Sequence, residues 1–152
     1  MYLALHLLLI VGLAGCQSAP SEGQPSVVVE RAGIIGDTTA ADGPREEVLG
    51  SVRDMTIDTR GNLHVLDRGW EEIRVYGPEG TLERTVALQL GEGPGEVQNP
   101  SMLAVGSGGH YYLTGLRSRQ VTILDPRGEA AGQFSLNVMP TNIVVADSSV
   151  FV

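Results

Sequence analysis

The sequence predicts an all-β protein assembled from a repeated four-strand unit, and three observations carry the prediction. Residues 53–80 and 101–128 align without a gap at an offset of 48, and self-similarity at a period of roughly 20–50 residues marks repeat architectures. Within each copy the apolar residues fall in short β-branched or alternating runs cut by Gly, Pro, Asn and Asp, which is the pattern of strands and tight turns. Beyond the leader no stretch shows a 3.6-residue apolar period of helix length.

The chain has 152 residues, 42% hydrophobic and 18% charged, with a formal net charge of -8. All ten basic residues are Arg. No basic run follows a phosphate backbone and the acidic excess repels one, so nucleic acid is excluded as a partner. Twenty Gly and eight Pro fall short of a disordered low-complexity composition, so the chain after its leader is expected to fold. A single Cys excludes an internal disulfide, a paired-cysteine redox site and any Cys-based zinc cluster.

Residues 1–15 contain twelve hydrophobic side chains and no Asp, Glu, Lys or Arg. The run is too short for a bilayer span of about 20 residues and has the length of a secretory signal peptide. Leu13-Ala14-Gly15-Cys16 directly follows it and resembles the lipobox of bacterial lipoproteins. That resemblance implies cleavage before Cys16 and acylation of its thiol, with two or three chains at about 0.8 kcal/mol per buried methylene fixing the protein to a membrane. The leader departs from the pattern in lacking an early Lys or Arg, which a start codon assigned a few residues too late would explain. Gln17 after the Cys resembles the sorting pattern for the outer membrane, so the expected location is the cell envelope, facing periplasm or exterior. Residues 16–26, rich in Ser, Pro, Gln and Gly, form a flexible tether.

The folded region is expected over 27–152. In the first copy the strands are predicted at 54–58, 62–67, 72–76 and 82–88. Arg60-Gly61-Asn62 and Pro78-Glu79-Gly80 supply turn residues, so successive strands pair antiparallel. Four antiparallel strands per 40–48 residues make a blade of a β-propeller. The second copy keeps the plan, with Val105 on Ile57, Gly109 on Gly61, Val121 and Ile123 on Ile73 and Val75, and Pro126-Arg127-Gly128 on Pro78-Glu79-Gly80. A third begins at Pro140, with Val145 on Val105 and Phe151 on Tyr111. Blade 1 is therefore placed at about 53–90, blade 2 at about 101–136 and the start of a third at about 141–152.

The run from Ile57 to Val86, followed by Gly91-Glu92-Gly93-Pro94-Gly95-Glu96, resembles an NHL-type six-bladed β-propeller lipoprotein. The resemblance rests on Asp58-x-x-Gly61-Asn62, Leu66-Asp67-Arg68 and the Gly-rich connector, and covers residues 52–152, about two thirds of the chain. It implies about six blades, of which two and a fraction are present. It also implies ligand binding at the loops around a central channel. In the second copy Gly106 replaces Asp58 and Gly115 replaces Asp67, which predicts a blade that keeps its packing with fewer turn hydrogen bonds. Val27-Val28-Val29-Glu30-Arg31 is expected to be the outer strand of the last blade, fastening the ring.

The residues offer little catalytic chemistry, and no catalytic residue is identified. The connector lacks the Gly-Lys-Ser/Thr ending of a phosphate loop and carries two carboxylates, so it reads as a tight passage between blades. His6, His64 and His110 are the only histidines, too few and too scattered for a His-based metal site. His64 and His110 read as structural, and Asp58 and Asp67 as acceptors of turn N–H groups. No metal or other cofactor is expected. Arg68 and Trp70, in the loop after Asp67, are the candidate ligand-binding residues, as cationic and aromatic anchors for a protein or small molecule; packing of Trp70 over the neighbouring blade is the structural alternative. The sequence thus points to a lipid-anchored binding scaffold with a membrane as its first partner. The rival is a metal-dependent lyase or lactonase of propeller type, with its site in blades outside this sequence.

Overall fold

A computed structural model describes Ile35, residues 48–147 and residues 149–152. The leader, Cys16, the tether and the Val27 to Arg31 segment lie outside the described residues.

Ten strands appear among these, each ending where the sequence places a turn. β1 (Val52–Ile57), β2 (Leu63–Asp67), β3 (Glu72–Tyr76) and β4 (Leu82–Ala87) form one four-stranded antiparallel sheet in sequence order. β5 (Pro100–Val105), β6 (Tyr111–Gly115), β7 (Gln120–Leu124) and β8 (Ala130–Ser135) form a second sheet of the same order. β9 (Val144–Ala146) and β10 (Ser149–Phe151) pair antiparallel as the opening hairpin of a third. The inner strands β1, β5 and β9 contact one another in series, so the sheets converge along that side, as propeller blades do.

The repeat extends to backbone detail. Gly61 and Gly109 sit at φ 86° and 79°, the left-handed region that glycine enters at no steric cost. Each closes the first hairpin of its blade by the same pair of backbone bonds: Asp58 N–H to Asn62 O with Gly61 N–H to Asp58 O, and Gly106 N–H to His110 O with Gly109 N–H to Gly106 O. Both inner strands carry an irregularity near their start, between Val52 and Asp54 and between Pro100 and Met102.

Alternation along each strand assigns the two faces. Leu66, Ile73 and Val86 from the first sheet meet Leu103, Tyr111, Leu113 and Leu124 from the second, and Leu88 and Val97 of the connector complete this buried cluster. Ala104, Val121 and Ile143 with Met102, Tyr112 and Phe134 form a second cluster between the second sheet and the β9–β10 hairpin. The core thus lies between blades, and each fully buried aliphatic side chain in it contributes about 2 kcal/mol. The middle strands β2 and β3 are covered on both faces, whereas β1, β4 and β8 keep exposed positions. Polar groups also cross the seam: Asp54 Oδ2 accepts the Leu103 N–H at 2.8 Å, holding the two inner strands together.

One buried pair escapes the apolar pattern. Glu72 and Arg74 share the face of β3 turned away from the second blade, and Arg74 Nε donates to Glu72 Oε1 at 2.8 Å with both side chains buried. Arg74 Nη1 also donates to the Val48 carbonyl, at 2.8 Å, so the charge is held by acceptors on two sides.

Candidate functional site

Antiparallel strands send their connections alternately to two ends of the blades. At one end lie the hairpin turns 58–62, 77–81, 106–110 and 125–129. At the other lie segment 48–51, loop 68–71, connector 88–99, loop 116–119 and connector 136–143.

At the hairpin end, Asp58 organises the first turn. Its Oδ1 accepts the N–H groups of Arg60 and Asn62 at 2.8 and 2.9 Å, and its Oδ2 accepts Asn62 Nδ2 at 2.9 Å. His64 Nε2 stands 3.2 Å from the same oxygen; since an ionised carboxylate only accepts, Nε2 carries the proton. His64 is buried edge-on against Tyr111 of the next blade, ring centroids 5.6 Å apart, and its Nδ1 has no partner among the described residues. Arg84 spans the seam by donating to the Tyr111 hydroxyl at 2.8 Å and to the Pro126 carbonyl. A cleft of about 400 Å3 opens there, lined by Asp58, Arg60, His64, Arg84, Ser107 and Pro126 among others. Arg84 and the His64–Tyr111 contact tie the two blades together across this seam. Asp58 accepts turn N–H groups as expected, while Arg84 and Tyr111 join the cluster across the seam, which no local motif announces.

Burial acts to raise the Asp58 pKa, but hydrogen bonds from the Asn62 backbone and side chain, from His64 and from the Arg60 backbone outweigh it. They hold the carboxyl at about 2, against an ordinary 3.8. A folded value below the unfolded one makes its contribution complete above about pH 4 and lost as the pH falls toward 2. With partial exposure discounted, that contribution is about 1–2 kcal/mol. Urea midpoints at about pH 5 and about pH 2 are expected to differ more in the wild type than in Asp58→Asn; equal differences would refute the assignment. Asp125, whose carboxyl the Glu129 N–H chiefly lowers, is present in both proteins and cancels in that comparison.

In the second blade Gly106 indeed lacks the carboxylate of Asp58, but the loss is offset one hairpin later. Asp125 Oδ1 accepts the N–H groups of Arg127 and Glu129 at 2.8 and 2.9 Å, organising the β7–β8 turn where the first blade has Gly77.

The connector end differs in kind. The Gly-rich connector folds on itself: Glu96 Oε2 accepts the Gly93 N–H at 2.7 Å, and Gln98 Nε2 donates to Glu92. A Cβ at Gly91 would meet the end of the Glu96 side chain, which would have to shift and give up its bond to Gly93. Thr122 Oγ1 donates to the Glu96 carbonyl at 3.0 Å, and Val97 enters the core. Its carboxylates are thus turned onto its own backbone and side chains, in keeping with a passage between blades.

Arg68 and Trp70 both stand exposed in loop 68–71. The Trp70 indole N–H donates to the Val48 carbonyl at 3.1 Å, and its ring lies against Gly50. Trp70 thus rests on the segment entering its own blade, while 39% of it faces solvent. The same end exposes Leu90, Leu116, Val138 and Met139, together with Arg117 and Arg119. These were readable in principle, since Leu116-Arg117-Ser118-Arg119 is loop 68–71 displaced by 48 residues; the hydrophobic pattern gives no reason to look there because loops have no period.

No protein-family model matches the chain, and no curated protein does. Among solved structures it is similar to glutaminyl cyclase of Myxococcus xanthus, with a TM-score of 0.50 and 19% identity over 67% of this chain and 49% of that one. A streptogramin B lyase aligns with a TM-score of 0.47 and 16% identity over 62% of this chain and 30% of that one. The β-propeller domain of Cps50 (Swd1) from Myceliophteria thermophila aligns with a TM-score of 0.43 and 12% identity over 63% of this chain and 29% of that one. The chain thus spans less than half the length of each. The fold is that of β-propeller blades, and identities this low speak to fold alone.

Proposed function

We propose that the protein is a lipid-anchored, extracytoplasmic β-propeller of the six-bladed NHL type, held to the outer membrane through acylated Cys16 and acting as a binding scaffold. The observation that carries the binding role is the connector end. There an exposed Arg68 stands beside Trp70, whose indole is oriented by the Val48 carbonyl at 3.1 Å. An aromatic side chain fixed by one hydrogen bond loses little conformational freedom on binding, which suits it to be an anchor beside a planar cation.

The anchor is tested by fractionation after a high-salt wash, which removes charge-held protein but not acylated protein. The wild type is expected to stay with membranes and to carry acyl mass on Cys16, and Cys16→Ser to move to the soluble fraction. Retention of Cys16→Ser through the wash would reject acylation as the anchor. Metal analysis of the full-length protein separates scaffold from enzyme: stoichiometric zinc or calcium would favour the lyase or lactonase reading.

A further inference from the structure

The seam between the first two blades is built unlike the one that follows it. At an offset of 48, Asp58, Arg60, His64, Glu83 and Arg84 have Gly106, Gly108, Tyr112, Ala131 and Gly132 as their counterparts. The second blade accordingly meets the β9–β10 hairpin through an apolar cluster in which Tyr112 takes the place of His64. All five polar residues of the first blade line the cleft of about 400 Å3 at the hairpin end. Apolar side chains are the ordinary filling of a close-packed seam. Where a repeat gives up that filling for charged groups around an open cleft, the departure points to function.

The charges in the cleft divide into those already engaged and those still free. Asp58 is engaged: the Arg60 and Asn62 N–H groups on one oxygen, and Asn62 Nδ2 and His64 Nε2 on the other, fill its acceptor sites. Arg84 is exposed yet held in place, because the Tyr111 hydroxyl and the Pro126 carbonyl each accept one of its N–H groups and leave the others free. Arg60 and Glu83 are exposed, and neither side chain has a hydrogen bond or ion pair among the described residues. The Glu83 carboxylate is folded against Gly77, where a Cβ would meet its Oε1. His64, only 2% exposed, lines the same cleft with an Nδ1 that has no partner among the described residues. With the proton on Nε2, that nitrogen is a buried acceptor short of a donor, an arrangement that costs stability until something supplies one.

We infer that this cleft binds a small zwitterion, with the ligand's carboxylate on Arg60 and Arg84, its ammonium group on Glu83, and His64 Nδ1 as a second acceptor. A simple anion would be repelled by Glu83 and a simple cation by the two arginines, whereas a ligand carrying both charges leaves none of the three unpaired. Guanidinium groups suit the carboxylate because they offer parallel N–H donors, and Arg84 is oriented before the ligand arrives. A polar cleft of this volume is at the small end of ligand sites, which fits a free α-amino acid or a short peptide. The site lies at the opposite end of the blades from Arg68 and Trp70 and does not rest on the binding role proposed for them.

The full chain with Cys16→Ser, which carries no acyl group, is titrated with L-alanine and with L-alanyl-L-alanine while its backbone amide shifts are followed by NMR. Binding is expected to move the amides of residues 58–62 and 106–109 and to leave those of loop 68–71 in place. The tighter of the two ligands identifies the source, free amino acid or peptide. N-acetyl-L-alanine lacks the ammonium group and L-alaninamide lacks the carboxylate, and each is expected to bind more weakly than L-alanine by about 10-fold or more. Glu83→Gln is expected to weaken L-alanine by about 10-fold and to leave N-acetyl-L-alanine unchanged, and Arg60→Gln to weaken L-alanine similarly and to leave L-alaninamide unchanged. Both variants alter one exposed side chain, and unmoved amide shifts in the buried strands β2 and β3 confirm that they fold alike. Absence of binding by either zwitterion, equal binding of the capped forms, shifts confined to other parts of the protein, or variants that bind every ligand as the wild type does would overturn the inference.

Discussion

Replacing Asp67 with Ala is expected to lower unfolding stability by about 3–5 kcal/mol. Asp67 is fully buried at the end of β2. Its Oδ2 accepts the Gly50 N–H at 2.7 Å, and its Oδ1 accepts the Ser51 and Gly69 N–H groups at 2.8 and 3.0 Å. One carboxylate therefore fixes the segment entering β1 and the loop leaving β2. Removing it strands three N–H donors, and a hydrogen bond to a charged group contributes about 1.5–3 kcal/mol. Asp67→Asn is informative beside it. The amide oxygen can keep the two Oδ1 bonds, but its NH2 then faces the Gly50 N–H donor to donor, so about half the loss is expected. Urea unfolding of the three proteins checks the series. An Asp67→Ala midpoint close to wild type, or Asn no better than Ala, would contradict the role.

The elements of this fold are legible because strand, turn and repeat signals agree. Four strands predicted at 54–58, 62–67, 72–76 and 82–88 appear at Val52–Ile57, Leu63–Asp67, Glu72–Tyr76 and Leu82–Ala87. The start of β1 was the least readable, since Val52 and Arg53 are exposed and the irregularity at Val52–Asp54 breaks the alternation. Asp58 and Asp67 could be assigned to turn N–H groups from residue type and position alone, because Asp bonds locally to backbone. Interactions between sheets were not legible. The Arg84–Tyr111 and Asp54–Leu103 contacts join residues far apart in sequence, and the buried Glu72–Arg74 pair reads from sequence as an exposed strand face. In the candidate site, Arg68 and Trp70 were found because they follow a motif. The apolar and arginine residues that make their loop part of a larger surface were not, because their grouping exists only once the blades lie side by side.

The second blade carries the sharpest test of how far the repeat governs structure. Aligned copies invite the view that Gly115 is a decayed position and that restoring the aspartate of its counterpart, Asp67, would stabilise the blade. The opposite is expected: Gly115→Asp should cost about 3 kcal/mol or more and lower Tm by about 10 °C or more. A Cβ at Gly115 would stand 1.8 Å from the Gln98 carbonyl oxygen and 2.9 Å from that of Asn99, and backbone atoms cannot swing aside as a side-chain tip can. Gln98 and Asn99 are the counterparts of Gly50 and Ser51. In the first blade their N–H groups reach a carboxylate; in the second, with Asn99 at a φ of 46°, the entering segment closes directly on the glycine. The bond from Leu116 N–H to Asn99 O repeats the one from Arg68 N–H to Ser51 O, so the two blades share a frame and differ in how the space inside it is filled. Gly115→Ala should show the steric part alone, and Gly115→Asp should be worse because it adds a buried charge. A thermal melt in which Gly115→Asp matches or exceeds the wild type would show that this seam yields, and that the two ways of closing a blade are interchangeable.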